Sequence, residues 1–226
     1  MLKAKGLDKK YGRQTVLQQA SLEVNSEIKA LIGINGSGKS TFLKIVAGIV
    51  NPDGGQVLIN QRDVTGLPPE FRHVGYVPQH PALFQHLTVK DNVLYGLRKD
   101  AKTEYTKVIE MLGLQDVLHK RPHELSGGYK SRASLARALV PQPQILLMDE
   151  PLTGMDVVLK ERILPDFRRV LKELQVPVLY ITHDPKEAEL LSDSYAVIDN
   201  GKIHSVDTWK EAFDMIHTSI LQAYSC

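Results

Sequence analysis

Apolar residues in this chain gather into unbroken runs and short alternating stretches, punctuated by glycine and proline. Residues 28–32, 145–148 and 177–182 are nearly continuous apolar runs. That pattern predicts strands buried on both faces of a parallel sheet. Shorter strands are expected at 2–5, 16–24, 56–60, 74–79, 195–199 and 202–206, with sharp breaks at 51–55 and at Pro68-Pro69. Helical spacing appears at 42–48, 89–97, 104–111, in a run ending at Val140, and from about residue 207. Thr88, Thr103 and Ser126 stand where N-caps belong. A further helix puts Leu159, Ile163, Phe167, Val170, Leu171 and Leu174 on one face, and Pro165 predicts a kink or restart near Leu164. Residues 80–125 show helix patterns and no strand pattern, which predicts a helical lobe inserted into an α/β core. On the connection into that lobe, Ala82, Leu83, Phe84 and Leu87 either fill the lobe's own core or form a docking groove for another protein.

The chemistry concentrates after the third strand. Gly33, Asn35, Gly36, Ser37, Gly38, Lys39, Ser40 and Thr41 lie between an apolar strand and a helix start. Glycines let the backbone curl and aim several N–H groups at one point, and the helix N-terminus adds unpaired donors and positive potential. With Lys39 for the β- and γ-phosphates and Ser40 for Mg²⁺, this is a P-loop. The fold class expected is α/β: a P-loop NTPase core with a small antiparallel β part and an inserted helical subdomain.

Five other places carry candidate roles. The buried run 145–148 delivers Asp149 and Glu150 at its C-terminal end, where adjacent carboxylates suit a Mg²⁺ shell and a general base. Gln79 ends an expected strand and His183 follows one, and ligands of open parallel sheets sit at such edges. Gln79 offers a carbonyl to a metal or an amide to a water; His183 suits a γ-phosphate. Solvated or structural roles remain open for both. Ser126-Gly127-Gly128 opens a helix and suits an anion, though an ordinary Ser-Gly helix start has the same residues. Tyr11, in a turn before a strand, is either a stacking platform for a base or a half-buried turn residue.

The 226 residues are 42% hydrophobic and 24% charged, ample for one globular unit with a core. The net charge of +2 gives no field suited to nucleic acid. Cys226 is the lone cysteine, so an internal disulfide is excluded. No apolar run approaches the roughly 20 residues that span a bilayer. A cytoplasmic protein is expected, peripheral on the inner face of the cell membrane through a partner.

Taken together, these elements resemble the ATP-binding subunit of ABC transporters across nearly the whole chain. Residues 33–41 match Walker A and 145–150 Walker B. Leu125-Ser126-Gly127-Gly128 matches the family signature, Tyr11 the A-loop, Gln79 the Q-loop, Met155-Asp156 the D-loop and His183 the H-loop switch. Tyr129 departs from the usual Gln after the signature, and Ser26 stands where Gly is common. The resemblance implies one domain over 1–226: a RecA-like core with β part at about 1–80 and 140–226, and a helical subdomain at 81–139. It implies ATP and Mg²⁺ as cofactors, Ser40, Gln79 and Asp149 as metal ligands, and Glu150, His183, Gln79 and Lys39 in catalysis. It also implies a head-to-tail dimer sealed at Ser126, Gly128, Met155 and Asp156, an integral membrane permease, and indirectly a solute-binding protein. Residues 81–89, 163–165 and 178–183 look like molybdate or tungstate importer ATPases, so an oxyanion importer is expected. The alternatives are an importer ATPase for another small solute, or a soluble ABC ATPase acting on nucleic acid or ribosomes.

Overall fold

The computed structural model describes residues 1–97, 102–153 and 157–224. Its centre is a six-stranded sheet built from β3 (Ile28–Ile32), β6 (Val74–Val77), β7 (Ile145–Asp149), β8 (Val178–Thr182), β9 (Ser194–Asp199) and β10 (Lys202–Val206), in the order β10-β9-β3-β8-β7-β6. All neighbours are parallel except the β9–β10 hairpin. Parallel strands must be covered on both faces, and the side chains of β7 and β8 show it. Ile145, Leu147, Leu179 and Ile181 enter one core; Leu146, Met148, Val178 and Tyr180 enter another.

The first core is closed by a second, antiparallel sheet of β1 (Leu2–Tyr11), β2 (Gln14–Val24), β4 (Gly54–Ile59) and β5 (Arg62–Asp63), in the order β2-β1-β4-β5. Helix α1 (Lys39–Ala47) contributes Phe42, Leu43, Ile45 and Val46 to the same core. Its C-terminal end is capped from a distance. Arg72, 1% exposed, donates to the carbonyls of Ile45 (2.8 Å), Val46 (3.1 Å), Thr65 (2.7 Å) and Leu67 (2.7 Å). Gly48 is obligatory beside it, because a Cβ there would stand 2.5 Å from the guanidinium Nε.

The second core gathers α2 (Val89–Leu94), α3 (Lys102–Met111), α4 (Gly127–Leu139) and α5 (Val157–Glu173). Between residues 81 and 139 the described residues form helices and turns and no strand. Leu83 is buried in this core; Phe84 and Leu87 are half-buried and Ala82 is exposed, so only part of that connection fills the lobe. A third cluster packs α6 (Pro185–Leu191) and α7 (Trp209–Tyr224) against Ala30, Ile32 and Val197.

Several expectations need correction. Strand β1 continues to Tyr11, which ends a strand and does not sit in the following turn. Strand β6 stops at Val77, leaving Gln79 on the loop beyond. Thr88 does cap α2, accepting from Asp91 N at 3.2 Å, but the helix ends at Leu94. Helix α3 starts at Lys102, so Thr103 lies within the first turn and is not its cap. Helix α5 runs unbroken through Pro165, which stands on its exposed side while Leu164, Phe167, Val170 and Leu171 are buried. A proline there forfeits one hydrogen bond, and the packed opposite face holds the helix together.

Candidate functional site

The turn between β3 and α1 is shaped by glycines at particular contacts. A Cβ on Gly33 would stand 2.6 Å from the Ile198 carbonyl, and one on Gly38 would meet the Val16 carbonyl at 2.8 Å. Gly38 also has φ 104°, a left-handed conformation that favours glycine. As the residue before α1 it has no side chain to cap the helix, so the first-turn N–H groups are left for a ligand. The turn borders a cavity of about 300 Å³ lined by Tyr11, Val16, Asn35, Gly36, Gly38, Lys39, Ser40, Thr41, Gln79 and Glu150. Ser37 is buried with an unpartnered hydroxyl.

Lys39 is 5% exposed, and its Nζ donates to the Gly33 and Ile34 carbonyls, each at 2.8 Å. Burial holds its pKa below the usual lysine value; the charges of Glu150 and Asp149 act the other way. This is a desolvated cation held by backbone carbonyls at the centre of the turn, beside the cavity.

Opposite it, Asp149 is 6% and Glu150 7% exposed. Asp149 Oδ1 accepts from the Ser40 hydroxyl at 3.1 Å and Oδ2 from the Tyr76 hydroxyl at 3.4 Å. Burial raises the Asp149 pKa, Ser40's hydrogen bond opposes that, and the Glu150 charge adds to it. Burial, followed by the Asp149 charge, pushes the Tyr76 phenol far above its usual value, so it stays a donor. Ser40 hydroxyl, Asp149 carboxylate and Gln79 amide make an all-oxygen donor set of the hard kind Mg²⁺ takes, beside a buried carboxylate that a cation would relieve. The residues present therefore fit that ion.

Glu150 follows the end of β7 with φ 45°, a conformation uncommon outside glycine and costing on the order of 1–3 kcal/mol. Its N–H donates to the Ile181 carbonyl at 3.1 Å. Its Oε2 is reached by Gln79 Nε2 (3.2 Å), Thr153 Oγ1 (3.1 Å) and His183 Nδ1 (2.9 Å). The structure thus brings Gln79, Glu150 and His183 together, with Lys39, Ser40 and Asp149 alongside. Sequence reasoning missed Tyr76 and Thr153. Tyr76 was within reach of the pattern, since β6 neighbours β7 and ends near Gln79; Thr153 carried no signal beyond its closeness to Glu150.

Tyr11 is 49% exposed at the cavity rim, with Lys9 Nζ 5.5 Å from its ring centroid. Ser126 precedes α4 as expected, but its hydroxyl does not cap the helix; it and Gly127 are exposed, and the residues lining the cavity do not include them. Tyr129, after the signature, packs its ring 4.3 Å from the Arg132 guanidinium carbon. Met155 and Asp156 lie outside the described residues.

Fold and site together define a P-loop ATPase domain of the ATP-binding cassette type. Residues 17–153 match the ABC transporter family, to which the chain belongs. The chain is 45% identical over 195 residues to the molybdate/tungstate import ATP-binding protein of Archaeoglobus fulgidus, covering 84% of this chain and 81% of that protein. It is 41% identical over 213 residues to the sulfate/thiosulfate import ATP-binding protein of Nocardia farcinica, covering 91% of this chain and 64% of that protein. Among solved structures it is similar to a dimeric ATP-binding cassette in a post-hydrolysis state bound to ADP and Pi, with a TM-score of 0.78, 26% identity, and coverage of 91% of this chain and 98% of that one.

Proposed function

We propose that this protein is the ATP-hydrolysing subunit of an oxyanion importer, carrying molybdate or tungstate, and that it drives a separate membrane permease from the cytoplasmic face. The observation that carries the hydrolytic reading is the Glu150 carboxylate, buried and met by Gln79, Thr153 and His183. Tyr11 stacks on the base. The residues from Gly33 to Thr41 wrap the phosphates, and Lys39 turns from the Gly33 and Ile34 carbonyls to the β- and γ-phosphates. Ser40 and Asp149, with Gln79 beside them, hold Mg²⁺, which when bound supplies neutralisation of phosphate charge. Glu150 takes a proton from the attacking water at its carboxylate, and His183 contacts the γ-phosphate. Most of the acceleration is positioning and charge neutralisation.

Two copies related head to tail complete each site. Ser126, Gly127 and Gly128 of one copy face the nucleotide held by the other, with Met155 and Asp156 at the seam. The exposed, uncommitted Ser126 hydroxyl supports this reading, as does the dimeric cassette it resembles. Residues 81–139 act as the lobe that carries Ser126 across. The permease seats near 79–87, where Phe84 packs 4.4 Å from the partly exposed ring of Tyr95. The likeness to the Archaeoglobus fulgidus protein favours molybdate or tungstate as cargo; the Nocardia farcinica likeness makes sulfate the second reading.

The test is Glu150→Gln. Hydrolysis should fall by about 10²–10⁴ while ATP binding and ATP-dependent dimerisation persist. Unchanged turnover would remove Glu150 from its role. For cargo, the complex taken from membranes with its permease should have its ATPase stimulated by molybdate or tungstate; stimulation by sulfate alone would select the second reading.

A further inference from the structure

We propose that Lys160 and Glu187 form a positioning pair that aims His183 at Glu150. The inference rests on the reading of Glu150 and His183 as working together in hydrolysis. The side chain of His183 is 59% exposed, and its Nδ1 stands 2.9 Å from Glu150 Oε2. A ring with so much of its surface in solvent is aimed by its backbone more than by packing. The residues on either side of it are both fixed, Thr182 by the Glu187 carboxylate and Asp184 by the Lys160 ammonium, and those two side chains are themselves paired.

On the near side, Thr182 Oγ1 donates to Glu187 Oε2 at 2.8 Å and accepts from Asp184 N at 3.0 Å, so one hydroxyl bridges the peptide that carries His183. On the far side, Asp184 Oδ1 accepts from Lys186 N at 2.9 Å and Glu187 N at 3.3 Å, starting α6. Its Oδ2 lies 3.2 Å from Lys160 Nζ. Glu187 is 3% exposed, and a carboxylate buried that far needs its lone pairs matched. Tyr180 hydroxyl (2.7 Å), Thr182 and Lys160 Nζ (2.6 Å) match them. Among the described residues Lys160 is the cation shared by Glu187 and Asp184, and it reaches them from the start of α5. Neither Lys160 nor Glu187 lines the nucleotide cavity. They act through His183 and hold its peptide between a buried carboxylate on one side and a helix cap on the other.

The test compares Lys160→Met, Lys160→Arg and Thr182→Val, each in the wild-type and His183→Ala backgrounds, with thermal denaturation of every variant. A misaimed group near the reacting atoms costs up to about 10²-fold. Lys160→Met should lower kcat by about 10- to 100-fold with the KM for ATP within about twofold, and Lys160→Arg should recover most of it. Thr182→Val, which removes only the bridging hydroxyl, should lose kcat in the same way. In the His183→Ala background neither should have further effect, the signature of residues acting through one another. Equal losses with and without His183, or full activity in Thr182→Val, would overturn the proposal. If His183→Ala hydrolyses ATP like wild type, the catalytic reading of His183 falls. The positioning claim is then decided by histidine ring NMR: signals moved by Lys160→Met and kept by Lys160→Arg support it, and unmoved signals overturn it.

Discussion

The Ser40 hydroxyl donates to Asp149 Oδ1 at 3.1 Å, joining the first turn of α1 to the last residue of β7 across 109 positions of chain. This contact closes the floor of the site. It also defines an imbalance, because the other side-chain donor to Asp149 among the described residues, the Tyr76 hydroxyl, is 3.4 Å away and uncharged.

That imbalance has a measurable sign. Burial raises the Asp149 pKa. A carboxyl with a raised folded-state pKa binds its proton more tightly folded than unfolded, so its ionisation opposes folding once the pH exceeds the unfolded value. Asp149→Asn removes the charge and keeps an acceptor for Ser40. Without nucleotide, that variant should melt at or above the wild-type temperature at pH 7, and the gap should close as pH falls through the carboxylate range. Its Mg²⁺-dependent hydrolysis should drop by about 10² or more. A melting point several degrees lower would mean that the ionised Asp149 stabilises the empty site.

Lys39 gives the complementary case. Its ammonium is held by the Gly33 and Ile34 carbonyls, and burial works against its charge. Hydrogen bonds to charged groups contribute about 1.5–3 kcal/mol, so Lys39→Ala should weaken ATP binding by about 10- to 100-fold. Titration with fluorescent ATP checks this; unchanged affinity would contradict the assignment of the turn to phosphate.

Arg72 predicts a stability effect away from the chemistry. It satisfies carbonyls at the end of α1 and in the loop after β5, with Gly48 clearing its path. Arg72→Met takes this donor from the Val46, Thr65 and Leu67 carbonyls, while Ile45 keeps the Gly48 N–H, and should cost about 3–5 kcal/mol, read from the midpoint of a urea titration. Arg72→Lys should recover little, since one ammonium cannot span the positions a planar fork reaches.

How much of this was legible depends on the range of the interactions. β3, β7 and β8 were readable because strands covered on both faces are apolar along nearly their whole length, and Lys39, Ser40, Asp149 and Glu150 because each sits at a strand or helix end the local pattern marks. Element ends were less readable. Tyr11 belongs to β1 because it pairs with Gln14 across a tight turn, which no apolar pattern announces. Pro165 looked like a break because local propensity says so; burial of Leu164, Phe167, Val170 and Leu171 outweighs it. Arg72, Lys160 and Glu187 were silent because a buried charged side chain looks like a surface one until its partners, contributed by other elements, are known. The positive φ of Glu150 was likewise invisible in its residue type.

Ser126 separates two roles that the sequence left together. A serine at an N-cap usually accepts from the helix N–H groups, and its loss then costs about 1 kcal/mol. Here its hydroxyl makes no such bond and stands exposed at the start of α4. Ser126→Ala should therefore leave the denaturation midpoint of the nucleotide-free protein within about 0.5 kcal/mol of wild type. If the hydroxyl instead serves the nucleotide of a second copy, the same change should lower hydrolysis. In the Glu150→Gln background, which is expected to bind ATP without consuming it, the change should also shift the ATP-dependent dimer toward monomer in sedimentation. A variant that loses stability yet dimerises normally would make Ser126 a helix cap and leave the two-copy site without its second phosphate contact.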